Sequence, residues 1–223
     1  GFSMGEPSAV VLVHGLWMTG TLDMAYLRRQ LRRCGFKVYV YRYRTVRRSL
    51  AENATQLNDF LARLPESTVH LVGHSMGGLL IRKLLLDFPD QRPGRIVTLG
   101  TPHGSSRAAA AFGRHAPGRW MLGKGMQALT EALPPWQGQH EFGVLIGDLP
   151  YGLGRMTRSL PLPNDGTVAV DEATLAGVTD TVTLPVTHIS MLFSRAVARQ
   201  TCQFLRHGQF LPTHEEGDIA RPA

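Results

Sequence analysis

The sequence predicts one α/β domain built on an open, mostly parallel sheet, and three observations carry that expectation. The run Ala9-Val10-Val11-Leu12-Val13 is continuously apolar, the mark of a strand buried on both faces. Such runs alternate with helical patterns as far as residue 100, which implies parallel strands joined by right-handed crossovers. The pentapeptide Gly73-His74-Ser75-Met76-Gly77 lies between the apolar run Val69-His70-Leu71-Val72 and a helical stretch from Gly78 to Leu86, the place of a sharp strand-to-helix turn.

Each element follows from local pattern. Strand 9–13 ends at His14-Gly15. A helix at about 22–34 carries the apolar stripe Met24, Leu27, Leu31 and Cys34 and closes at Gly35. Phe36 to Tyr41 is the next strand. Ser49 and Glu52 form a capping box that opens a helix with the stripe Leu50, Ala54, Leu57, Leu61 and Leu64. Strand 68–72, the glycine-flanked turn and helix 76–87 follow, then a strand from Arg95 to Leu99. The alternation stops after Thr101-Pro102-His103-Gly104. Residues 105–139 hold short helical patterns at about 105–112 and 120–132, with Gly and Pro between them, and are too long for a passive connector. They lie past the C-terminal end of a strand, where open α/β sheets bind ligands, and read as a cap or lid. Glu141 to Gly147 resumes as a strand, Asp180 to Leu184 is the last one, and Ser190 to Arg206 is the last helix. The domain spans residues 4–211. Gly1-Phe2-Ser3 reads as a vector-derived remnant, and the tail from Pro212 as loose chain.

The 223 residues, 43% hydrophobic and 18% charged, suffice for a large core. No apolar run approaches the ~20 residues that cross a bilayer. No cationic and apolar signal segment follows Met4, which favours the cytoplasm, although a leader already removed leaves no trace. Cys34 and Cys202 fall on apolar positions of helical patterns and are expected as buried thiols rather than a disulfide. The net charge is +7, and much of the excess is local, with Arg28, Arg29, Arg32 and Arg33 on the polar face of one helix. A solvated helix face is the first reading, and attraction to an anionic membrane surface or acidic partner the second. No nucleic-acid recognition motif interleaves with these arginines, and no nucleic-acid partner is expected.

The chemistry centres on Ser75. A turn this sharp forces the serine into a strained backbone conformation that lifts its Oγ clear of the sheet. Cβ atoms at Gly73 and Gly77 would collide with the neighbouring strand and helix. A serine in this position needs a base and an orienting acid, in the chain order Ser, Asp or Glu, His. His188, between the last strand and the last helix, stands where the base must sit. His207 and His214 lie too far along, His70 is inside a strand, and His74 points away beside the nucleophile. For the acid, Asp165 in the turn-rich Pro163-Asn164-Asp165-Gly166 competes with Asp148, which directly follows strand 141–147. Asp171 and Asp180 are weaker candidates, and position alone gives Asp165 only a modest edge over Asp148. The two backbone N–H groups of an oxyanion hole are expected from Met76 and from Leu16 in the loop after the first strand, with His14 as that loop's scaffold. Trp17, Met18, Leu122, Met126, Leu129, Leu133 and Trp136 offer apolar surface for an acyl pocket or for packing the lid.

The set Val11-Leu12-Val13-His14-Gly15-Leu16, Gly73-His74-Ser75-Met76-Gly77-Gly78, Thr101-Pro102-His103-Gly104 and Asn164-Asp165-Gly166-Thr167-Val168 resembles the bacterial lipase and esterase branch of the α/β-hydrolase fold, over residues 9 to about 206. The resemblance implies a Ser75–His188–Asp165 triad, with Asp165 preferred to Asp148. It also implies hydrolysis of carboxylic esters through an acyl-enzyme. Thioesterase, acyltransferase and amidase activities are the alternatives, and a catalytically silent binding protein is the alternative of another class. Several secreted lipases of this kind carry calcium with an Asp just after the catalytic His. Ile189 and Ser190 follow His188 here, so no metal is expected. No zinc, phosphate-loop or dinucleotide motif appears, and no cofactor is expected.

Overall fold

The computed structural model describes residues 8–151 and 160–213. The N-terminal tripeptide and the tail beyond residue 213 lie outside them. Six strands form one parallel sheet: β1 (Ala9–Val13), β2 (Lys37–Tyr41), β3 (Val69–His74), β4 (Ile96–Leu99), β5 (Phe142–Gly147) and β6 (Asp180–Leu184), in the order β2-β1-β3-β4-β5-β6. Helices α1 (Leu22–Arg33), α2 (Leu50–Ala62) and α3 (Met76–Asp87) make the first crossovers.

β1 is apolar throughout because it is covered by helices on both faces. Along β1, Val10 and Leu12 pack with Met24, Leu27 and Leu31 of α1, while Val11 and Val13 pack with Leu57 of α2 and Leu80 and Leu84 of α3. The Ser49–Glu52 capping box forms as expected, Ser49 Oγ accepting from Glu52 N at 3.1 Å and Glu52 Oε1 from Ser49 N at 3.1 Å.

Three boundaries differ from the sequence expectation. Residues 105–139 contain three short helices: α4 (Arg107–Phe112), α5 (Ala116–Leu122) and α6 (Gly125–Thr130). The pattern at 120–132 is split at Gly123, whose φ of 53° ends α5. A four-residue turn of helix, α7 (Val170–Ala173), was not anticipated. The final helix is broken: a 3₁₀ turn covers Ser190–Phe193, and α8 (Arg195–His207) starts afresh because Ser194 Oγ caps Val197 N at 3.2 Å.

The cysteines also correct the sequence reading. Cys34, at the C-terminal cap of α1, and Cys202 on α8 form a disulfide across a sequence separation of 168 residues. Arg206 reaches the Cys34 carbonyl beside it, so α1 and α8 are fastened together at this end. Among the described residues no helix is long and apolar enough to cross a membrane.

Candidate active site

The sheet brings the site together at the C-terminal ends of β1 and β3, where the strand order changes direction. Ser75 follows β3 with φ 54° and ψ −123°, a region that costs a non-glycine residue about 1–3 kcal/mol. The surroundings enforce it. Ser75 N–H donates to Leu99 O at 2.9 Å, and the Ser75 carbonyl accepts from Gly78 N at 3.0 Å and Thr101 Oγ1 at 2.8 Å. A Cβ on Gly73 would lie 2.6 Å from the Gly77 backbone, and one on Gly77 would run into the Val13 carbonyl. Both glycines are therefore required by close approach.

The Thr-Pro-His-Gly motif supports this turn from behind. Buried His103 Nδ1 accepts from Arg82 Nη1 at 3.2 Å, so its Nε2–H donates to Thr98 Oγ1 at 2.9 Å. Burial, reinforced by the Arg82 charge, pushes the His103 pKa down to about 3 and keeps the ring neutral.

His188 lies between β6 and the 3₁₀ turn. Its Nδ1 stands 2.8 Å from Asp165 Oδ2, and its backbone N–H donates to Asp165 O at 2.8 Å. The other carboxylate oxygen, Oδ1, accepts from Thr167 N at 2.9 Å and Val168 N at 2.6 Å. The acid is thus clamped by its own turn, an arrangement suited to aspartate. The imidazole pairs with Asp165 and not with Asp148, whose N–H is bonded to Leu184 O beyond β5. Gly100, at φ 59°, leaves the room: a Cβ there would sit 3.1 Å from both Asp165 Oδ2 and His188 Nδ1. No feature of the sequence pattern singled out Gly100.

The loop after β1 lies directly against the turn. A Cβ on Gly15 would be 3.1 Å from Ser75 Cβ. His14 braces the loop: Nδ1–H donates to Gly15 O at 3.0 Å, Nε2 accepts from Tyr43 N at 3.2 Å, and the ring stacks on Tyr43 at 4.4 Å. Burial lowers its pKa, so it stays neutral. Leu16 follows Gly15 and lines the same cavity as Ser75. Met76 begins α3, and its N–H, at the first helical position, has no intrahelical acceptor.

A cavity of about 500 Å³ opens onto these groups. Ser75 and His188 share its floor; Leu16, Trp17 and Met18 form one wall, and Leu122 and Leu129 another. Ala108, Ala109 and Phe112 of α4, together with Ile189 and Tyr151, also line it, and none of these five was singled out from sequence; His74 reaches the same cavity. The small side chains of the Ala108-Ala109-Ala110-Ala111 run were the available signal. Among the described residues no Asp, Glu, Lys or Arg lines the cavity.

Trp136 corrects the sequence expectation. It packs edge-on against Phe142 of β5 at 5.0 Å, in the α2–α3 core layer and away from the cavity. Met126 and Leu133 join the cluster under α4 and α6 rather than the cavity wall. The 105–139 segment is fastened through backbone atoms at four places: Arg107 N donates to the buried Glu172 Oε2 at 2.7 Å, Trp17 Nε1 to Met121 O at 2.9 Å, Lys124 N to Val46 O at 2.9 Å and Arg82 Nη2 to Pro134 O at 2.9 Å. Among the described residues no group of three or more His, Cys, Asp or Glu could hold a metal ion.

A family model described as alpha/beta hydrolase matches residues 10–211, nearly the whole chain. The chain belongs to the alpha/beta hydrolase family. Solved structures share this hydrolase's fold at low identity. A metagenomic carboxyl esterase matches with a TM-score of 0.62 and 20% identity, over 86% of this chain and 67% of that one. A carboxylesterase from Bacillus subtilis gives 0.57 and 17%, over 92% and 85%. The type II thioesterase of the borrelidin biosynthetic cluster gives 0.60 and 16%, over 91% and 92%. No curated protein matches this hydrolase.

Proposed function

We propose that this hydrolase cleaves carboxylic esters with Ser75 as nucleophile, His188 as general base and acid, and Asp165 as the group that orients the imidazole. The observation that carries the reading is the 2.8 Å contact between His188 Nδ1 and Asp165 Oδ2, on a histidine that shares an apolar cavity with the strained Ser75. Asp165 fixes the proton on Nδ1, which leaves Nε2 to take the Ser75 proton as Oγ attacks the acyl carbon. The backbone N–H groups of Leu16 and Met76 receive the oxyanion. His188 then protonates the leaving alcohol, and water activated by the same ring releases the acid. The cavity takes an uncharged acyl chain, and the 105–139 segment acts as its lid. The disulfide fits an oxidising compartment better than the cytoplasm expected from sequence.

A fluorophosphonate probe and a matched series of ester, thioester and amide substrates test this. Labelling at Ser75, faster turnover of esters than of amides, and loss of both in Ser75→Ala support it. A thioester preference would reassign the substrate class within the same chemistry. A folded protein that neither labels nor turns over any of them would leave a binding role.

A further inference from the structure

His74 is set aside by the sequence pattern as a residue pointing away from the nucleophile, and the reaction above does not use it. The structure turns it inward. Its Nε2 lies 2.8 Å from the backbone carbonyl of His188, and the two rings are 4.7 Å apart. A carbonyl can only accept, so Nε2 carries the proton and Nδ1 presents a lone pair. That Nδ1 is buried without a hydrogen-bond partner, against Gly15, whose Cβ would be 3.1 Å away. The site therefore leaves a buried acceptor unpaired in order to hold one donor, Nε2–H, on one carbonyl.

That carbonyl belongs to the residue proposed as the base. His188 has its N–H on Asp165 O and its Nδ1 on Asp165 Oδ2, and both contacts tie it to the acid's loop. Neither fixes its distance from the nucleophile. The His74 bond does, because His74 is covalently joined to Ser75. We propose that His74 is a positioning residue that sets the distance between His188 and Ser75 through the His188 carbonyl, an inference that rests on the ester-hydrolase reading. Burial, with the neighbouring His188, pushes the His74 pKa down to about 3, so no second positive charge competes when His188 becomes an imidazolium.

Side-chain shape separates this role from mere packing. Gln places its amide nitrogen where Nε2 of histidine stands. Asn places one where Nδ1 stands, too short to reach the carbonyl, and Phe keeps the ring without the donor. The measurements are kcat and KM on a short ester, the rate of fluorophosphonate labelling, and Tm. His74→Phe and His74→Asn should lower kcat and the labelling rate by about 10- to 100-fold, the scale of a misplacement near 1 Å, with KM little changed. His74→Gln should recover most of that loss. The Asn variant carries the test if Phe is too bulky to fold. Wild-type kcat and labelling in either the Phe or the Asn variant, or equal losses in Gln, Asn and Phe, would overturn the inference while leaving the hydrolase reading intact. Wild-type protein that fails to label at Ser75 would overturn both.

Discussion

Replacing Asp165 with asparagine is expected to lower kcat by about 10⁴-fold without unfolding the protein. The two residues differ in one half of one planar group, and the structure decides which half is exchanged. Oδ1 accepts from two backbone donors, Thr167 N at 2.9 Å and Val168 N at 2.6 Å, so the amide oxygen must take that side. The NH₂ is then forced toward His188 Nδ1, 2.8 Å from the second position. Two N–H groups cannot face each other, so the imidazole moves its proton to Nε2 and has no lone pair left for the Ser75 hydroxyl. A 10⁴-fold loss corresponds to about 5 kcal/mol of transition-state stabilisation. The turn itself loses far less. Both of its N–H groups keep an acceptor, now neutral, at a cost on the order of 1 kcal/mol, which is a few degrees of Tm. The assay is kcat on a short p-nitrophenyl ester with Tm measured on the same samples. Asp148→Asn is the control, because Asp148 lies beyond β5 with no bond to His188, and its kcat should match wild type. A folded Asp165→Asn protein within tenfold of wild type, or a larger loss in Asp148→Asn, would refute the assignment.

Filling the cavity should shorten the accepted acyl chain: Ala109→Leu is expected to cost long-chain esters about fourfold per excluded CH₂ while sparing acetate, and Trp136→Gln should leave the chain-length ratio alone; rates over an ester series check both. Reducing the Cys34–Cys202 bond frees a 168-residue separation, worth about 5 kcal/mol at the top of the usual range, so Tm should fall by roughly 10 °C or more in reductant. An unchanged Tm would show that the link adds nothing to stability. Stability should also decline with acid. An unfolded imidazole takes up a proton near pH 6.5, whereas His74 and His103 do so only at about 3 and His70 at about 4, held down by burial first. Between those values the unfolded chain binds more protons, so their contribution is full above about pH 7 and drains as pH falls toward 4. Replacing His103 with Gln should flatten a plot of Tm against pH over that interval.

The first hundred residues were legible because the strands there are short, mainly apolar runs and each helix carries one stripe, so period separates them. The Ser49 box and the Gly73–Gly77 turn are local chemistry, readable wherever they occur. The lid boundaries were not, since Gly123 ends a helix by its backbone angle and Ser194 starts one by a side-chain bond, and both interrupt apolar patterns that continue across them. Cys34 and Cys202 gave no sign of pairing because their proximity is created by α1 packing on α8. Trp136 is an apolar residue in a segment expected to cover a cavity, and nothing in the pattern says which face it takes. For the acid, motif likeness preferred Asp165 to Asp148, and the three-dimensional contact to His188 is made by the same residue. His74 was misread because the strand's alternation ends where the strained turn begins.

The way the 105–139 segment is held bears on how this hydrolase could change its diet. Its firm attachments use backbone atoms: the carbonyls of Met121 and Pro134, which any residue would supply, and the amides of Arg107 and Lys124, which any residue other than proline would supply. The side-chain links, Arg107 to Asp171 and Lys124 to Glu52, are exposed ion pairs of little energetic weight. The hydrogen-bonded part of the anchorage is therefore nearly independent of sequence, and Leu122, Ala128 and Leu129 add apolar packing on Met76 and Leu79 of α3. A side chain that faces the cavity and belongs to no core cluster, such as Ala108, can be exchanged without unhooking the segment from the body. A lineage could retune which acyl groups fit while its catalytic floor stayed untouched, and an engineer could graft foreign cavity residues onto the same backbone pegs.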